Sequence, residues 1–427
     1  MSTEGDSREQ GEHARAGNDP VMADLGVGGS AVRAAAPGDA VAGIAPRYVA
    51  TPPDLRAASS LLAAAARHGL ATVPRGHGST VGWGRPPRRC DLVVDTTLLT
   101  TIEHTAGDLI VQVGAGTPMA DLDAALAGAG QRLSVDPVVP GSTVGGVVAT
   151  GLCGPRRMLH GTVRDLIIGM TTVRADGAIV SSGGRVVKNV AGYDLGKLHT
   201  GALGTLGLIA SVTFRLHPLP PALRVISAAT GDAATAAAWR ASVLRSTTAP
   251  AAVELDWSAE GPLSLHVLLE GAEGGIEARA AEVAGLLGAA DTAAELPPDW
   301  GMLPGAPDDT LLKIAVAPGR VTETAASLRT AAEAVGIPVS IRGSAGAGVL
   351  YAALPAAADA GTAADTVTGL RHSITEGALT VLRAAPGVLE QGLDLWGEVP
   401  GLPLMRAIKD RFDPDRILSP GRFAGGI

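Results

Sequence analysis

Cysteine is nearly absent from this sequence, which contains only Cys90 and Cys153 among its 427 residues. Two cysteines are too few for an iron–sulfur cluster or a thiolate zinc site, and such scarcity is typical of a reducing compartment. Long apolar runs are also missing, because Gly, Pro, Thr and charged residues interrupt every candidate membrane span. The scarcity of cysteine and the lack of long apolar runs predict a cytoplasmic protein that has no metal site and does not span a membrane.

Charge is modest and slightly negative, with 18% charged residues and a net charge of -8. A negative balance argues against nucleic acid as the main partner. The first twenty residues are polar and lack the apolar segment of a secretory signal. We therefore expect residues 1–20 to be a disordered tail, and the remaining length fits two domains.

Glycine, in contrast, is abundant, and its 57 residues occur in clusters without a regular period. The densest cluster is 137–161, in which small and β-branched side chains predominate and no charge occurs before Arg156. Glycine loses much conformational entropy on folding, so such a cluster implies that a backbone or a ligand approaches too closely for a Cβ atom. A flat ligand that carries phosphates, such as a flavin dinucleotide, meets this description.

The order of predicted elements changes at the proline-rich segment 218–221. Before it, strands and helices alternate around glycine-rich turns. After it, a strand–helix–strand–strand–helix order occurs twice. Two such halves predict an antiparallel sheet with helices on one face.

Three glycine-rich segments could together hold a dinucleotide. The first, 75–80 (RGHGST), follows a strand, and its backbone N–H groups could bind phosphate. It matches neither a Walker A loop nor a Rossmann fingerprint, and alone it fits an ordinary turn equally well. The second, 140–146 (PGSTVGG), leads into a helix start that favours anions. The third, 201–209 (GALGTLGLI), would lay a strand against a flat ring.

The three segments, in this order, resemble the FAD-binding domain of the vanillyl-alcohol oxidase / p-cresol methylhydroxylase type over residues 45–218. Within this superfamily the chain is most similar to the family of E-type FAD-binding subunits of glycolate oxidase (glycolate dehydrogenase). Residues 83–84, 154–157 (GPRR) with 164–165, and 188–195 (KNVAGYDL) carry this closer resemblance. The segment 412–423 (FDPDRILSPGRF) resembles the family's closing motif, with Ser419 where Asn is usual.

The resemblance implies an α+β fold in three parts. A two-lobed FAD-binding domain of the p-cresol methylhydroxylase type would span residues 21–220. An antiparallel, ferredoxin-like cap domain would span residues 221–400. Residues 401–427 would form a helix and a turn that return to the FAD-binding domain.

The resemblance also implies which residues contact FAD. These are Arg75, Gly76, His77, Gly78, Ser79, Thr80, Gly84, Pro140, Gly141, Ser142, Thr143, Gly145, Gly146, Gly151, Asp165, Gly204 and Ile209. Some relatives tether the flavin covalently to a histidine of the first loop. The corresponding position here is Ser79, with His77 two residues earlier, so we predict non-covalent FAD.

The catalytic residues are less well defined. Oxidation of an α-hydroxy acid needs a cation for the carboxylate and a group that takes the hydroxyl proton. Arg156, Arg157 and Arg164 are candidate cations, and Tyr193 and His199 are candidates near the ring. Each has an ordinary alternative, since paired arginines often lie at surfaces or subunit contacts and a lone histidine often lies in a core.

One family feature is missing from the cap. The catalytic, D-type subunits of the family carry a histidine-rich segment, and the comparable residues here are 342–351 (RGSAGAGVLY). The glycines are kept, but the acid and both histidines are absent. This departure implies that a partner chain carries out substrate oxidation.

We therefore predict the FAD-binding subunit of a glycolate oxidase/dehydrogenase complex. It would oxidise glycolate to glyoxylate with partner flavoprotein and iron–sulfur subunits, in the cytoplasm, and attachment to a membrane surface through the complex is left open. Two alternatives remain. The chain is a flavin-binding scaffold without turnover, or it is a stand-alone FAD-dependent oxidase or dehydrogenase of another small hydroxy acid or polyol.

Overall fold

The structure is a computed structural model that describes residues 19–185, 192–288 and 290–427. The expected tail, 1–20, lies almost entirely outside these ranges, as do residues 188–191 of the family-like stretch 188–195. Within the described ranges, no helix has the length and apolarity needed to cross a bilayer.

The first lobe is a four-stranded sheet covered by two helices. Its elements are α1 (Pro20–Gly26), β1 (Ala31–Ala34), β2 (Tyr48–Thr51), α2 (Leu55–Arg67), β3 (Thr72–Arg75) and β4 (Leu92–Asp95). The strand order is β1-β2-β4-β3, with β2, β4 and β3 parallel and β1 antiparallel at the edge. Helix α2 begins where Asp54 accepts a hydrogen bond from the Ala57 amide at 2.8 Å, and it buries Leu61 and Leu62. Small apolar residues alternate with Gly and Asp over 21–45 and predict only a short helix and a turn, and strand β1 corrects this prediction.

The second lobe is a five-stranded antiparallel sheet in the order β5-β6-β10-β8-β9. Its strands are β5 (Ile102–Thr105), β6 (Ile110–Gly114), β7 (Gln131–Arg132), β8 (Ile167–Val173), β9 (Ile179–Gly183), β10 (Leu208–Arg215) and β11 (His217–Pro218), of which β7 and β11 form a separate pair. Its helices are α3 (Met119–Ala127), α4 (Val144–Thr150), α5 (Arg157–His160), α6 (Val163–Leu166) and α7 (Gly196–His199). A hairpin turn at Asp176 and Gly177 joins β8 to β9.

The cap is built on one eight-stranded antiparallel sheet. Its strands are β12 (Ala222–Thr230), β13 (Ala252–Trp257), β14 (Leu263–Gly271), β15 (Asp291–Ala293), β16 (Thr310–Val316), β17 (Ser340–Ser344), β18 (Val349–Leu354) and β19 (Gly377–Arg383). Its helices are α8 (Ala233–Arg245), α9 (Glu273–Leu287), α10 (Val321–Ala334), α11 (Ala360–Ser373) and α12 (Pro386–Glu390). The order β15-β12-β14-β13-β17-β18-β16-β19 places two equivalent halves side by side, joined where β13 pairs with β17.

The two faces of the cap sheet differ in polarity, because side chains alternate along each strand. Leu255, Leu265, Ile314 and Leu350 lie on the face that the cap helices cover, and all four are buried. The opposite face, towards the FAD-binding lobes, carries a row of polar residues. Aligned by strand register, this row includes Ser227, His266, Glu254, Ser344, Asp256, Arg342, Tyr351 and Lys313.

The C-terminal segment packs against the first lobe. Helix α13 (Leu402–Phe412) is followed by a turn in which Leu418 forms a parallel bridge with Thr72 of β3. The Lys409 ammonium is 1% exposed and donates hydrogen bonds to Asp413 at 2.6 Å and to the Thr205 carbonyl at 2.7 Å. This buried pair fixes the end of α13 against the loop that precedes β10.

Candidate functional site

The first glycine loop leaves the end of β3 and faces the second loop across a cleft. A Cβ atom added at Gly76 would lie 2.4 Å from Thr143 Oγ1, so only glycine allows this approach. His77 Nδ1 lies 3.3 Å from the Gly141 carbonyl oxygen, and Ser79 Oγ lies 3.4 Å from Ser142 Oγ. The structure therefore brings together two loops that are more than sixty residues apart in the sequence.

Arg75, at the start of this loop, is held by carboxylates behind the cleft. Its guanidinium lies 3.1 Å from Asp39 and 3.4 Å from Asp95. Hydrogen bonds from Arg33, from the Ala36 amide and from Arg75 hold the pKa of Asp39 far below its usual range. Arg75 is therefore fixed in one orientation with its charge largely compensated.

The second loop turns into the short helix α4, which Thr143 caps by accepting a hydrogen bond from the Gly146 amide at 3.3 Å. The two glycines of this helix are required for different reasons. A Cβ atom at Gly145 would lie 2.9 Å from the Ala115 carbonyl oxygen, so Gly145 is needed for packing against the end of β6. At Gly146 the nearest atom would be Thr143 Oγ1 at 3.3 Å, and this glycine faces the cleft.

The third segment closes the cleft from the side of β10. Gly204 has a φ of +74°, in the left-handed region that favours glycine. A Cβ atom at Gly207 would lie 3.0 Å from His199 Cε1, so His199 packs behind this wall. Strand β10 begins within this segment, at Leu208.

Together the three segments line one open cleft. Eleven of the seventeen residues predicted to contact FAD line it, namely Arg75, Gly76, His77, Gly78, Ser79, Thr80, Thr143, Gly145, Gly146, Gly204 and Ile209. Sequence reasoning did not assign the other lining residues, which are Pro74, Val81, Thr96, Ala115, Ala149, Thr150, Leu203, Gly207, Leu208 and Arg422.

Arg422 is the most informative of the unassigned residues. It is 4% exposed, and its guanidinium donates hydrogen bonds to the carbonyls of Val81 at 2.6 Å and Trp83 at 2.7 Å. It comes from the C-terminal motif 412–423, so the motif gave a sequence signal for it. Arg422 brings a positive charge to the cleft beside the first loop.

Six predicted contacts do not line the cleft, and they are Gly84, Pro140, Gly141, Ser142, Gly151 and Asp165. A Cβ atom at Gly84 would lie 2.9 Å from the Arg422 carbonyl oxygen, so this glycine is explained by packing against the C-terminal segment. Gly151, with a φ of +66°, ends helix α4. The Asp165 carboxylate accepts hydrogen bonds from the Thr162 amide and hydroxyl, both at 2.8 Å, and these bonds lower its pKa at the start of α6.

The catalytic candidates occupy different environments. Tyr193 is 89% exposed on the surface, and Arg164 is also exposed. His199 lies in the core with its ring edge-on to Phe412 at 5.9 Å, and burial lowers its pKa to about 4. These placements match the ordinary alternatives for a surface side chain and a core histidine.

Arg156 belongs to an ion-paired cluster, the paired seam, formed by Arg132, Asp136, Arg156 and Glu270 between the second lobe and the cap. Arg156 Nε donates to Glu270 at 2.8 Å, and its Nη1 pairs with Asp136. Arg132 also donates to Glu270, at 2.7 Å. Every charge of the paired seam has a partner of opposite sign within it.

Arg157 instead lines a small space, the interface cavity, between the second lobe and the cap sheet. Cys153 and Arg157 line it from the second lobe, and Glu254, Arg342, Ser344 and Tyr351 line it from the cap sheet. Tyr351 belongs to one apolar cluster with Trp83 and Val138. Because Trp83 follows the first glycine loop and Val138 precedes the second, the interface cavity lies close to one end of the cleft.

A comparison with protein families bears on the cleft directly. Residues 46–183 match the model of a family described as "FAD binding domain". Residues 46–183 form an FAD-binding domain of the p-cresol methylhydroxylase type. This domain supplies the first two glycine loops and the elements from β2 to β9, and the cofactor is FAD.

Curated relatives match part of the chain. "Glycolate oxidase subunit GlcE" of Escherichia coli is 40% identical over 123 residues, which are 28% of this chain and 35% of the relative. "D-lactate dehydrogenase" of Archaeoglobus fulgidus is 33% identical over 180 residues, 41% of each chain. "Glycolate oxidase subunit GlcD" of Bacillus subtilis is 30% identical over 211 residues, 49% of this chain and 45% of the relative. The chain thus spans less than half the length of these curated relatives.

Solved structures match over nearly the whole chain. "Chitooligosaccharide oxidase" superposes with a TM-score of 0.68 at 16% identity, covering 93% of this chain and 98% of that one. "Physcomitrella patens BBE-like 1 wild-type" gives a TM-score of 0.68 at 15% identity, covering 94% and 98%. At this identity the likeness concerns the fold alone. The predicted α+β class, with a p-cresol methylhydroxylase-type FAD-binding fold and antiparallel sheets, is confirmed.

The residues of the cleft fit FAD. A Cβ atom at Gly146 would meet nothing closer than Thr143 Oγ1 at 3.3 Å, so this glycine leaves open space in the cleft. Arg422 is a cation suited to an anionic pyrophosphate. Ser79 and Thr80 add hydroxyl groups, and the apolar side chain of Ile209 suits one face of a ring.

Proposed function

We propose that this chain is the FAD-binding subunit of a glycolate oxidase/dehydrogenase complex that oxidises glycolate to glyoxylate. The observation that carries the proposal is the cleft in which the two glycine loops and the 201–209 segment meet, in a chain 40% identical over 123 residues to a glycolate oxidase subunit. Relatives named as D-lactate dehydrogenases support the broader class, a 2-hydroxy acid as substrate.

The residues of the cleft would have distinct roles. The loop 75–80, Thr143 and Gly146 would hold the pyrophosphate side of FAD, and Arg422 would supply charge beside it. Bound FAD accepts the two electrons that are lost when a hydroxyl group is oxidised to a carbonyl group. Gly204 and Ile209 would form the wall against the ring, supported from behind by the neutral His199.

The electrons must then leave the chain. Cys90 and Cys153 are both buried, and two cysteines cannot ligate an iron–sulfur cluster. We therefore assign onward transfer to a partner flavoprotein and an iron–sulfur subunit. Co-purification of the chain with such partners, encoded beside it, would support this assignment.

We propose that the FAD is not covalently attached. Ser79 occupies the tether position, and its hydroxyl lies 3.4 Å from Ser142 Oγ. Acid precipitation should leave the yellow flavin in the supernatant. Flavin that stays with the precipitated protein would contradict the proposal and would direct attention to His77.

Gly146→Leu tests the cofactor role. The leucine side chain would enter the cleft. The nearest atom to its Cβ would be the hydroxyl oxygen of Thr143, at 3.3 Å. We expect the FAD content per chain to fall by about tenfold or more, as overpacking in a binding site predicts. Gly128→Leu is the control, because Gly128 is exposed, has an ordinary helical φ and has no neighbour within 4 Å of its Cβ position. An equal FAD content in both variants would refute the assignment.

A second candidate is a stand-alone FAD-dependent oxidase or dehydrogenase of another small hydroxy acid or polyol. One observation favours it, namely that the cleft and the interface cavity lie in a single chain. Anaerobic addition of glycolate or D-lactate to the purified, FAD-loaded chain distinguishes the two candidate functions. Bleaching of the flavin by the chain alone favours the second candidate, and activity only after partner subunits are added favours the first. A scaffold would show no loss of complex activity with Gly146→Leu.

A further inference from the structure

The C-terminal segment contacts two walls of the cleft, although it is far from both in the sequence. We propose that Lys409 and Asp413 are positioning residues for FAD, which hold the third segment, 201–209, in place through the Thr205 carbonyl group. That this segment is a wall for FAD rests on the proposed function. The positioning role itself rests on the contacts described below.

The Lys409 ammonium has a hydrogen-bond partner for each of its three donors. It donates to the Asp413 carboxylate at 2.6 Å, to the Thr205 carbonyl at 2.7 Å and to the Leu418 carbonyl at 2.9 Å. The Lys409 side chain is only 1% exposed, so water cannot replace a lost partner. The ammonium therefore fixes the distance between Thr205 and the turn after α13.

Asp413 ties this ammonium to the first lobe. Its carboxylate is fully buried and accepts hydrogen bonds from the Ile417 amide at 3.1 Å and from the Leu418 amide at 2.8 Å. The turn that it orders is joined to Thr72 of β3 by two backbone hydrogen bonds, at 2.7 and 2.8 Å. Asp413 thus links the edge of the first lobe, through Lys409, to Thr205.

Thr205 lies within the third wall of the cleft. Gly204 precedes it, and Gly207, Leu208 and Ile209 follow it, and all four line the cleft. Thr205 itself is 1% exposed, so its carbonyl depends on a partner from the protein. A wall that is already held in one conformation loses less conformational entropy when a ligand binds, and this raises the affinity for the ligand.

The same C-terminal segment supports the cleft at two further places. Phe412 lies edge-on to His199 at 5.9 Å, and His199 packs behind Gly207. Arg422 reaches the first loop, where it donates to the two carbonyls that follow residue 80. These contacts give the motif 412–423 a role in the FAD site that extends beyond the one residue that lines the cleft.

A double variant, Lys409→Met combined with Asp413→Asn, tests the proposal in the full chain. It removes both buried charges together, and the asparagine carbonyl can still accept a hydrogen bond from the turn, so no unpaired charge is left. The FAD-free variant should therefore unfold close to the denaturant midpoint of the FAD-free wild type. Its affinity for FAD, measured by titration of the FAD-free chain, should be about tenfold weaker, because binding must now order the third segment.

Iodide quenching of the bound flavin supplies a readout that a purely structural role would not move. A loosened wall should make the ring more accessible, so quenching should be stronger in the double variant than in the wild type. Arg416→Met is the matched control. Arg416 pairs with Asp410 at 2.5 Å in the same segment, but both side chains are exposed and neither lines the cleft. This control should keep the wild-type FAD affinity and quenching.

Hydrogen exchange of the wild type tests the same coupling if the double variant does not fold. Coupling between two sites is reciprocal, so bound FAD should slow the exchange of the Ile417 and Leu418 amides, which do not line the cleft. Their exchange should slow more than that of the amides of the cap strand β14. Equal slowing of both sets would show a global effect and would overturn the proposal.

Two further outcomes would also overturn it, namely wild-type FAD affinity and quenching in the folded double variant, or the same losses in Arg416→Met. The FAD site itself is tested separately by Gly146→Leu. If that variant retains FAD, the proposed function fails at the cleft. If that variant loses FAD while the double variant binds it with wild-type affinity, the positioning role alone is refuted.

Discussion

Two polar regions lie side by side where the FAD-binding lobes meet the cap, and adjacent residues of one segment serve them. Arg156 enters the paired seam and finds both Asp136 and Glu270. Arg157 enters the interface cavity, where the described residues offer it neutral neighbours and no ion pair. The same residue type, one position apart, is thus neutralised in one region and left uncompensated in the other.

This difference distinguishes an arginine whose charge is paired within the fold from one whose charge is not. In the paired seam, removing Arg156 would leave the buried Asp136 without its ion pair and Glu270 with Arg132 alone. In the interface cavity, removing Arg157 relieves a desolvated cation and strands no carboxylate within the described chain. Stability should therefore depend more on Arg156 than on Arg157.

The largest expected effect is that of Arg156→Met on stability. Asp136 and Glu270 would remain buried, and Asp136 would lose its Arg156 partner, so we expect the free energy of unfolding to fall by about 3 kcal/mol or more. Denaturant unfolding of the full chain measures it. Arg157→Met should change the free energy of unfolding by less than about 1 kcal/mol. Equal losses in the two variants would remove the distinction between the regions.

The second effect is a pH dependence of the free energy of unfolding, which comes from Glu254. Its pKa, ordinarily 4.5, is raised by burial to about 8 in the folded chain. Between these values the folded protein holds a proton that the unfolded chain has released, so the free energy of unfolding falls as pH rises from about 4.5 to about 8. Glu254→Gln should remove this decline and be more stable than the wild type at pH 8, by a margin on the order of a few kcal/mol.

The groups that face Glu254 are the same in the wild type and in Glu254→Gln. They come from the second lobe, from the neighbouring strands and from β18, and they are Asp136, Arg157, His266, Arg342, Ser344 and Tyr351. Thermal unfolding at pH 5 and at pH 8 provides the measurement, with similar melting temperatures expected at pH 5. A constant difference between wild type and Glu254→Gln at both pH values would contradict the assignment to this carboxyl.

The smallest effect is that of Tyr351→Phe on stability. The substitution removes a hydroxyl group near Arg157 and leaves the ring packed with Trp83 and Val138. Burial raises the pKa of the Tyr351 phenol, so the phenol is neutral and gives Arg157 no counter-charge. The free energy of unfolding, measured in denaturant, should therefore change by about 1 kcal/mol or less. A loss as large as that of Arg156→Met would contradict the view that the neighbours of Arg157 leave its charge unpaired.

The sequence was a good guide where local chemistry decides the structure. The glycines of the first loop and of α4 identified the walls of the cleft, because a missing Cβ is visible in the sequence itself. The doubled order of elements in the cap also predicted its sheet and its one-sided layer of helices. Strands β1 and β15 were missed because they are short and mostly exposed at sheet edges, where no apolar alternation marks them.

Long-range pairing was beyond sequence reasoning. The sequence around Arg156 does not indicate that Glu270, 114 residues away, neutralises it. The sequence around Arg157 likewise does not indicate that it forms no ion pair with the described residues. The same limit applies to Gly84 and Asp165. Their residue types suited FAD contacts, whereas the structure places them in packing against the C-terminal segment and in a helix cap.

The hydrogen bonds from Arg422 to Val81 and Trp83 join residues 341 and 339 positions apart. A ribosome that has made all of the sequence up to β19 has still not made this side chain. A chain that has not yet been extended through Arg422 therefore presents a cleft that lacks one of its lining arginines.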